Sequence, residues 1–426
     1  MKILVISYSY FPYLSARAFR WTTIANNWAE KGIKVDLVCA GRGDVIDKGN
    51  QEDNLNVHYV KDVTSSFKQQ LNKTVDNPLE KDSSIVLNLK KNVINFFKKT
   101  IKYFRWPDGN WFWIYPAYKK AKSLIKENKY DAVVSVALPF SSHVVALLLK
   151  LGKKNITWIT DFGDPFSCND ITFNNDLLYP KLNRRIEKRI IENSKKVSVT
   201  TFETIDEYAN KLKVDRGLFY VIPPLFDNDY LQLFRTLNKT SKRNTEKVKV
   251  IYTGAFHKGI REPNYILEVF SKLQRLNLSK KIELHVYGKL NECVDVFDQL
   301  YNDCDWLFVH GEVSKDKLMG VYANSDVLLN IGNQTTYQLP SKIIEYMFTG
   351  LPILNFISIE EDLSKKALLD YSGCKTILKE NTITENFLID VSLFIMKQET
   401  LSEEQVNLMI EKYSVEKISE QYLDLI

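Results

Sequence analysis

The stretch PSKIIEYMFTGLPIL, Pro340–Leu354, joins a helix-sized segment to a strand. PSKIIEYMF is stopped by Gly350, and the Pro-led run PILNF follows it. A helix that ends in Gly and returns to a short apolar strand is one repeat of an alternating α/β chain. Within it, Glu345 stands between Ile344 and Tyr346, so a carboxylate rides on a helix that must pack against a sheet.

The same alternation extends outward from this repeat. VKVIYTG, KIELHVYG, WLFVHG and DVLLNIG precede it, with helices expected near 262–275, 291–301, 314–323 and 340–348. Several of these strands end in Gly, at Gly254, Gly288, Gly311 and Gly332. In the first half, KILVISYS, VDLVCA, AVVSVA, ITWIT, VSVTT and FYVI are short and β-branched, with helical patterns such as ARAFRWTTIANNWAEKG between them. Strand–helix alternation implies right-handed parallel crossovers. The fold class is therefore α/β, with two doubly wound Rossmann-like domains expected at 1–225 and 226–412. Such sheets bind ligands beyond the carboxyl ends of their strands, so a cleft between the halves is the expected site.

Composition bounds the rest. The 426 residues are 45% hydrophobic and 26% charged, as in a soluble globular protein with two cores. Met1-Lys2 leads straight into an apolar strand, so no leader peptide is expected, and no apolar run approaches the ~18 residues of a membrane span. The five cysteines are scattered with no CxxC pair, which favours a reducing compartment and argues against zinc.

The second half resembles a known family. LPSKIIEYMFTGLPIL, preceded by VHGEVSKDKLMGVYANSDVLLNIG, is similar to the donor half of a glycosyltransferase family 4 enzyme with the GT-B fold. YDAVVSVALPFSSHVVALLL and WITDFGDPF in the first half resemble a bacterial subgroup that builds surface polysaccharides such as capsule and O-antigen. The resemblance implies a nucleotide-sugar donor, UDP- or GDP-linked, a lipid-linked saccharide acceptor, and transfer with retention of configuration. It also implies no metal or other cofactor, and a last helix at about 413–426 that packs back on the first domain.

That chemistry leaves a diphosphate while the sugar gains positive character, so cations and helix N-termini belong at the phosphates. Pro340 suits a first helical turn, and the amides of Ser341 and Lys342 would then face a phosphate. Ser341 and Glu345 share a helix face, which lets the carboxylate reach ribose hydroxyls, the role the resemblance implies. The alternative is a surface carboxylate on an amphipathic helix. Lys258 and Arg261, in TGAFHKGIREP, match a loop that grips the diphosphate, with a solvated basic loop as the alternative. Gly254 ends the strand before them. Gly288 and Val313 match positions beside the nucleotide, Val313 reading the base through its backbone. Tyr337 stands where many family members carry a sugar-contacting Glu.

On the acceptor side, Asp161 and Asp164 of DFGDPF follow a strand and could bind an acceptor hydroxyl, act as a base, or simply shape a turn. The first βα turn, YSYFPYLSARAFRW, lacks the glycines common in the family, and Arg17 and Arg20 are expected there as substitute cations on the acceptor side. The DFG spelling lacks the other protein-kinase segments, and Asp303-Cys304-Asp305 precedes its strand, the wrong edge for a DxD metal motif. His143 reads as a helix-face residue.

Between Lys90 and Lys126 ten Lys/Arg and one acid, Asp108, lie among Trp, Phe and Tyr. Val86, Leu89, Val93, Phe97, Ile101 and Phe104 follow helical spacing, with Lys91, Lys98, Lys102 and Arg105 on another face. The composition suits a helix on an anionic membrane surface through about 86–126, or a core helix with a solvated basic face. It also suits single-stranded nucleic acid, but no recognition motif accompanies it and no nucleic-acid partner is expected. With the resemblance, the membrane reading places the protein on the cytoplasmic face of the cell membrane. Two rivals remain open: a nucleotide-sugar 2-epimerase on the same fold, and a non-catalytic sugar-nucleotide or polysaccharide-assembly binding protein.

Overall fold

The computed structural model describes residues 1–11, 15–41, 51–62, 104–153, 155–168, 177–226, 228–240, 246–301, 304–380 and 382–426. The chain divides into two units, Met1–Pro223 with Ile418–Ile426, and Pro224–Lys417.

The first unit holds an eight-stranded sheet in the order β3-β4-β2-β1-β5-β6-β7-β8. Its elements are β1 (Lys2–Ile6), α1 (Ala16–Glu30), β2 (Lys34–Gly41), β3 (Gln51–Glu52), β4 (Leu55–Lys61), α2 (Ile114–Glu127), β5 (Ala132–Val136), α3 (Ser141–Gly152), β6 (Trp158–Asp161), α4 (Pro180–Asn193), β7 (Lys196–Val199), α5 (Phe202–Leu212) and β8 (Phe219–Val221). All pairings are parallel except β3 with β4. KILVI is buried through Ile3–Ile6, as a strand covered on both faces must be. Ser15 starts α1 by accepting the Ala18 amide.

The second unit is a six-stranded, all-parallel sheet in the order β11-β10-β9-β12-β13-β14. Its elements are α6 (Asn228–Thr240), β9 (Lys247–Thr253), α7 (Asn264–Leu273), β10 (Lys281–Tyr287), α8 (Val294–Tyr301), β11 (Leu307–Gly311), α9 (Lys315–Ala323), β12 (Val327–Ile331), α10 (Lys342–Met347), β13 (Ile353–Ile357), α11 (Leu363–Ala367), β14 (Cys374–Leu378), α12 (Glu385–Lys397) and α13 (Glu403–Ile410). Alternate residues feed two cores: Val248, Val250 and Tyr252 of β9 pack with α7 and α12, while Ile251 packs with α6, α9 and α10. Strand order reverses between β9 and β12, the switch point where doubly wound sheets take ligands.

Two doubly wound sheets are thus present, as the alternation indicated. The strands that pattern reading missed are β3, β4 and β14, all at or next to a sheet edge. LNVHYVK and CKTIL are only partly buried, so neither carries the continuous apolar run that marks the central strands.

Candidate active site

At the carboxyl end of β9 a chain of hydroxyls leads to Glu345. The Thr253 amide donates to Tyr346 Oη at 2.9 Å, and that hydroxyl lies 2.9 Å from Thr253 Oγ1 and 3.5 Å from the Thr253 carbonyl, to which it can donate. Thr253 Oγ1 lies 3.0 Å from Tyr322 Oη, and Tyr322 donates to Glu345 Oε2 at 3.3 Å. Because Tyr322 gives its single proton to Glu345, its oxygen is left to accept from Thr253 Oγ1. Tyr322 and Tyr346 are buried, and burial, reinforced for both by the Glu345 charge, raises their pKa. The hydroxyls stay protonated and serve as fixed donors. Lys342 Nζ donates to Glu345 Oε2 at 2.7 Å, and Lys315 Nζ lies 3.9 Å from Oε1 while sitting 4.5 Å above the Tyr230 ring. Glu345 is no exposed helix charge: its side chain is 16% accessible and faces the end of the first strand.

The helix carrying it begins later than PSKIIEYMF suggests. Lys342 is the first helical residue and Ser341, exposed and making no side-chain cap, precedes it. Pro340 therefore lies outside the first turn, where its carbonyl accepts from the Ile343 amide at 3.1 Å. That bond forms a tight turn, which a Pro at the preceding position tolerates because only its carbonyl is used.

The structure separates the two cations of TGAFHKGIREP. His257 and Arg261 pair as the base of a small turn, with Lys258 and Gly259 exposed at its tip. Arg261 turns inward and donates from Nη2 to Asn333 Oδ1 at 2.6 Å, so it bridges the loops that follow β9 and β12. Beside it is a recess lined by Tyr265, Gly332, Gln334, Ser358 and Lys379. Gly254 lies under Arg261, where an added Cβ would stand 3.4 Å from Nη1 and 2.9 Å from Tyr252 Oη. Gly288 donates to the Gly311 carbonyl at 2.8 Å, and Val313 packs, partly buried, against the core around α9. Tyr337 is 1% exposed, so its ring is enclosed by protein and presents almost no surface to a sugar.

On the other unit the structure corrects several expectations. Asp161 is 1% exposed and already has four partners. Oδ2 accepts from Arg17 Nη1 at 2.9 Å and Trp21 Nε1 at 2.7 Å, and Oδ1 from Ser198 Oγ at 2.9 Å and Tyr422 Oη at 2.8 Å. A carboxylate so saturated has no lone pair left for an acceptor proton, so Asp161 ties β6 to α1, β7 and the C-terminal helix Val415–Leu423 instead of acting as a base. Arg17 reaches it only because residue 163 is Gly: a Cβ there would lie 1.6 Å from Arg17 Nη2. Arg20 is likewise a strut, donating to the Pro223 and Ile222 carbonyls and to Tyr422 Oη at 2.7, 3.2 and 3.0 Å. Both arginines are spent inside the unit, because α1 packs them under the sheet's carboxyl edge rather than on a loop. Asp164 is half-buried in the turn after β6.

His143 is fully buried, 2.7 Å from Ser135 Oγ, and burial depresses its pKa to about 3, which keeps it neutral. Asp108, the lone acid of the basic stretch, takes the amide and hydroxyl of Ser141 at 2.7 and 2.8 Å and so caps α3. Composition gave no hint of that role, because the cap joins residues 33 apart. Asp305 pairs with Lys281 at the amino edge of β10, while Asp303 lies outside the described residues, as do Val86, Leu89, Lys91, Val93, Phe97, Lys98, Ile101 and Lys102. In the described part of that segment, Trp111 and Phe112 stack at 3.7 Å before α2. Tyr115, Lys119, Lys122 and Lys126 form an exposed stripe along the helix, opposite buried Ala117, Ala121 and Leu124. Among the described residues no helix is long and apolar enough to cross a membrane.

Two doubly wound α/β sheets, parallel but for the β3–β4 pair, form the GT-B class of glycosyltransferase fold. Solved structures agree over the whole chain. Sucrose-phosphate synthase from Thermosynechococcus elongatus matches with a TM-score of 0.68 at 13% identity, covering 100% of this chain and 97% of that one. HepE of Anabaena, solved in complex with UDP, matches at 0.63 and 12%, covering 100% and 99%. WaaG, a glycosyltransferase involved in lipopolysaccharide biosynthesis, matches at 0.59 and 13%, covering 100% and 99%. Likeness at these identities establishes the fold. A comparison with curated proteins gives no match. Residues 20–230 match the model of Glycosyltransferase Family 4. The matched span is the first half, whereas the motif around Glu345 lies in the second.

Proposed function

We propose that the protein transfers a sugar, with retention and without a metal ion, from a UDP- or GDP-linked donor to a lipid-linked saccharide in surface polysaccharide biosynthesis. The observation that carries this reading is Glu345, a carboxylate aimed by Tyr322 and Thr253 at the end of the first strand of the second sheet. A ribose diol placed there donates to Glu345. The diphosphate then falls to Arg261, Lys342 and Lys315, whose positive charges supply what a departing diphosphate needs. Lys258, at an exposed turn tip, is a more distant contributor. Gly254, Gly288 and Val313 line the nucleotide, with the backbone at Ser341 beside the phosphates, and the recess by Arg261 takes the sugar. Asp164 is the acceptor-side carboxylate in this assignment. HepE, of the same fold, has been solved with UDP and glucose.

Glu345→Gln should weaken binding of a nucleoside diphosphate by about 10- to 100-fold, the worth of hydrogen bonds to a charged acceptor. Calorimetry with UDP and GDP measures it, and unchanged affinity for whichever binds would remove Glu345 from the donor site. Incubation with labelled nucleotide sugars and membrane lipid extract tests the activity itself: transfer supports the reading, whereas epimerised donor or binding without turnover would replace it with one of its rivals.

The acceptor's lipid implies work at a membrane surface, at the cytoplasmic face in this reading. Stacked Trp111 and Phe112 followed by the Tyr115, Lys119, Lys122 and Lys126 stripe provide an aromatic end and a cationic face for anionic headgroups. Each basic residue near such a surface contributes roughly 1 kcal/mol. Changing the three lysines to Gln together with Trp111→Ser should release the protein from phosphatidylserine vesicles in a flotation assay, with an unchanged melting temperature. Equal flotation of variant and wild type would exclude this surface.

A further inference from the structure

Three donor groups surround Glu345: Lys342 and Tyr322 bond Oε2, and the Lys315 ammonium, 3.9 Å from Oε1, is an ion-pair contact beyond hydrogen-bond reach. For a ribose diol to address both oxygens, one hydroxyl on each, a donor must leave Oε2, which already takes Lys342 at 2.7 Å and Tyr322 at 3.3 Å. The three donors differ in how easily they leave. Tyr322 is locked in the core, and Lys315 is seated on the Tyr230 ring. Lys342 has a flexible four-carbon stem and a side chain 31% accessible to solvent.

We propose that Lys342 is a latch that couples recognition of the ribose to recognition of the diphosphate, a step that rests on the donor-site reading above. A nucleoside without phosphates must break the Lys342–Glu345 pair and leave the ammonium with water alone. A nucleoside diphosphate instead offers that ammonium a stronger, multiply charged partner, and the exchange frees Oε2 for the ribose. Lys315 stays beside Oε1 throughout, so the carboxylate keeps one counter-charge. The site thereby favours nucleoside diphosphates over nucleosides by more than the phosphate contacts alone would give.

The test uses the full chain with uridine, UDP, guanosine and GDP, followed by calorimetry and, for the weaker ligands, ligand-observed NMR. Lys342→Met should tighten binding of the matching nucleoside about three- to fivefold, the size of a partly exposed ion pair, because the competitor for Glu345 is gone. The same variant should weaken the diphosphate about tenfold or more. Lys342→Arg should retain the wild-type ratio of the two affinities, and Lys342→Met in a Glu345→Gln background should no longer improve the nucleoside. If Lys342→Met weakens both ligands alike, or changes neither, the latch is refuted while the donor site stands. If wild-type protein binds none of the four ligands, the donor-site reading falls and takes the latch with it.

Discussion

Replacing Asp161 with Asn should lower the stability of the protein by about 3–5 kcal/mol, the cost of breaking a buried, hydrogen-bonded ion pair. Arg17 would keep its charge at a side chain only 12% accessible, and the donors Trp21, Ser198 and Tyr422 would compete for a neutral amide. Burial by itself would raise the Asp161 pKa, but the Arg17 and Arg20 charges and the bonds from Trp21 and Tyr422 outweigh it, and the net shift is downward. A carboxyl whose folded pKa lies below its unfolded value, near 4, stabilises the fold above about pH 4. That contribution is lost as pH falls through the folded value, since the unfolded chain binds the proton more readily. Wild-type stability should therefore drop in acid below about pH 4, with a shallower slope for Asp161→Asn over the same range. Denaturant midpoints measured from pH 7 to pH 2.5 check both statements. A loss under about 1 kcal/mol at pH 7 would show that Asp161 is not the tie described here.

The second large effect is expected at Gly288. Its φ of +139° is closed to L side chains, and a Cβ would lie 1.9 Å from the Gly254 carbonyl oxygen. The atoms it would meet are all backbone, so no side chain can swing away to relieve the contact. Gly288→Ala should cost more than about 3 kcal/mol and spread the loops that end β9 and β10. Gly311 is the control. Its φ is +72° and it has open space around the Cβ position, so Gly311→Ala should cost only about 1 kcal/mol of backbone strain. Thermal melting of the two variants separates contact from strain. Equal, small shifts would mean that the Gly254–Gly288 approach gives way easily.

Much of the second unit could be read from local pattern. Strand runs ending in Gly254, Gly288, Gly311 and Gly332 marked the carboxyl edge, because a backbone that turns sharply there needs glycine within a residue or two of the strand. Glu345 was legible for a similar reason: its helix, the Gly stop and the next strand all lie within 15 residues. Lys315 approaches the same carboxylate but carries no local signal of it, because 30 residues and a whole β-strand separate it from Glu345.

What the sequence alone determined was the alternation, the two doubly wound sheets and the carboxylate at the edge of the second, since hydrophobic period, turn residues and strand ends are all short-range properties of the chain. What only the tertiary structure decided was which polar groups are spent on holding it together. Asp161, Arg17 and Arg20 read as cleft residues, and Asp108 as an isolated acid in a basic run. Tyr422 reaches Asp161 across 261 positions and Arg20 across 402. A carboxylate's chemistry is set by burial and by the donors within about 3 Å of it, and donors brought together from such distances leave no trace in the residues beside it.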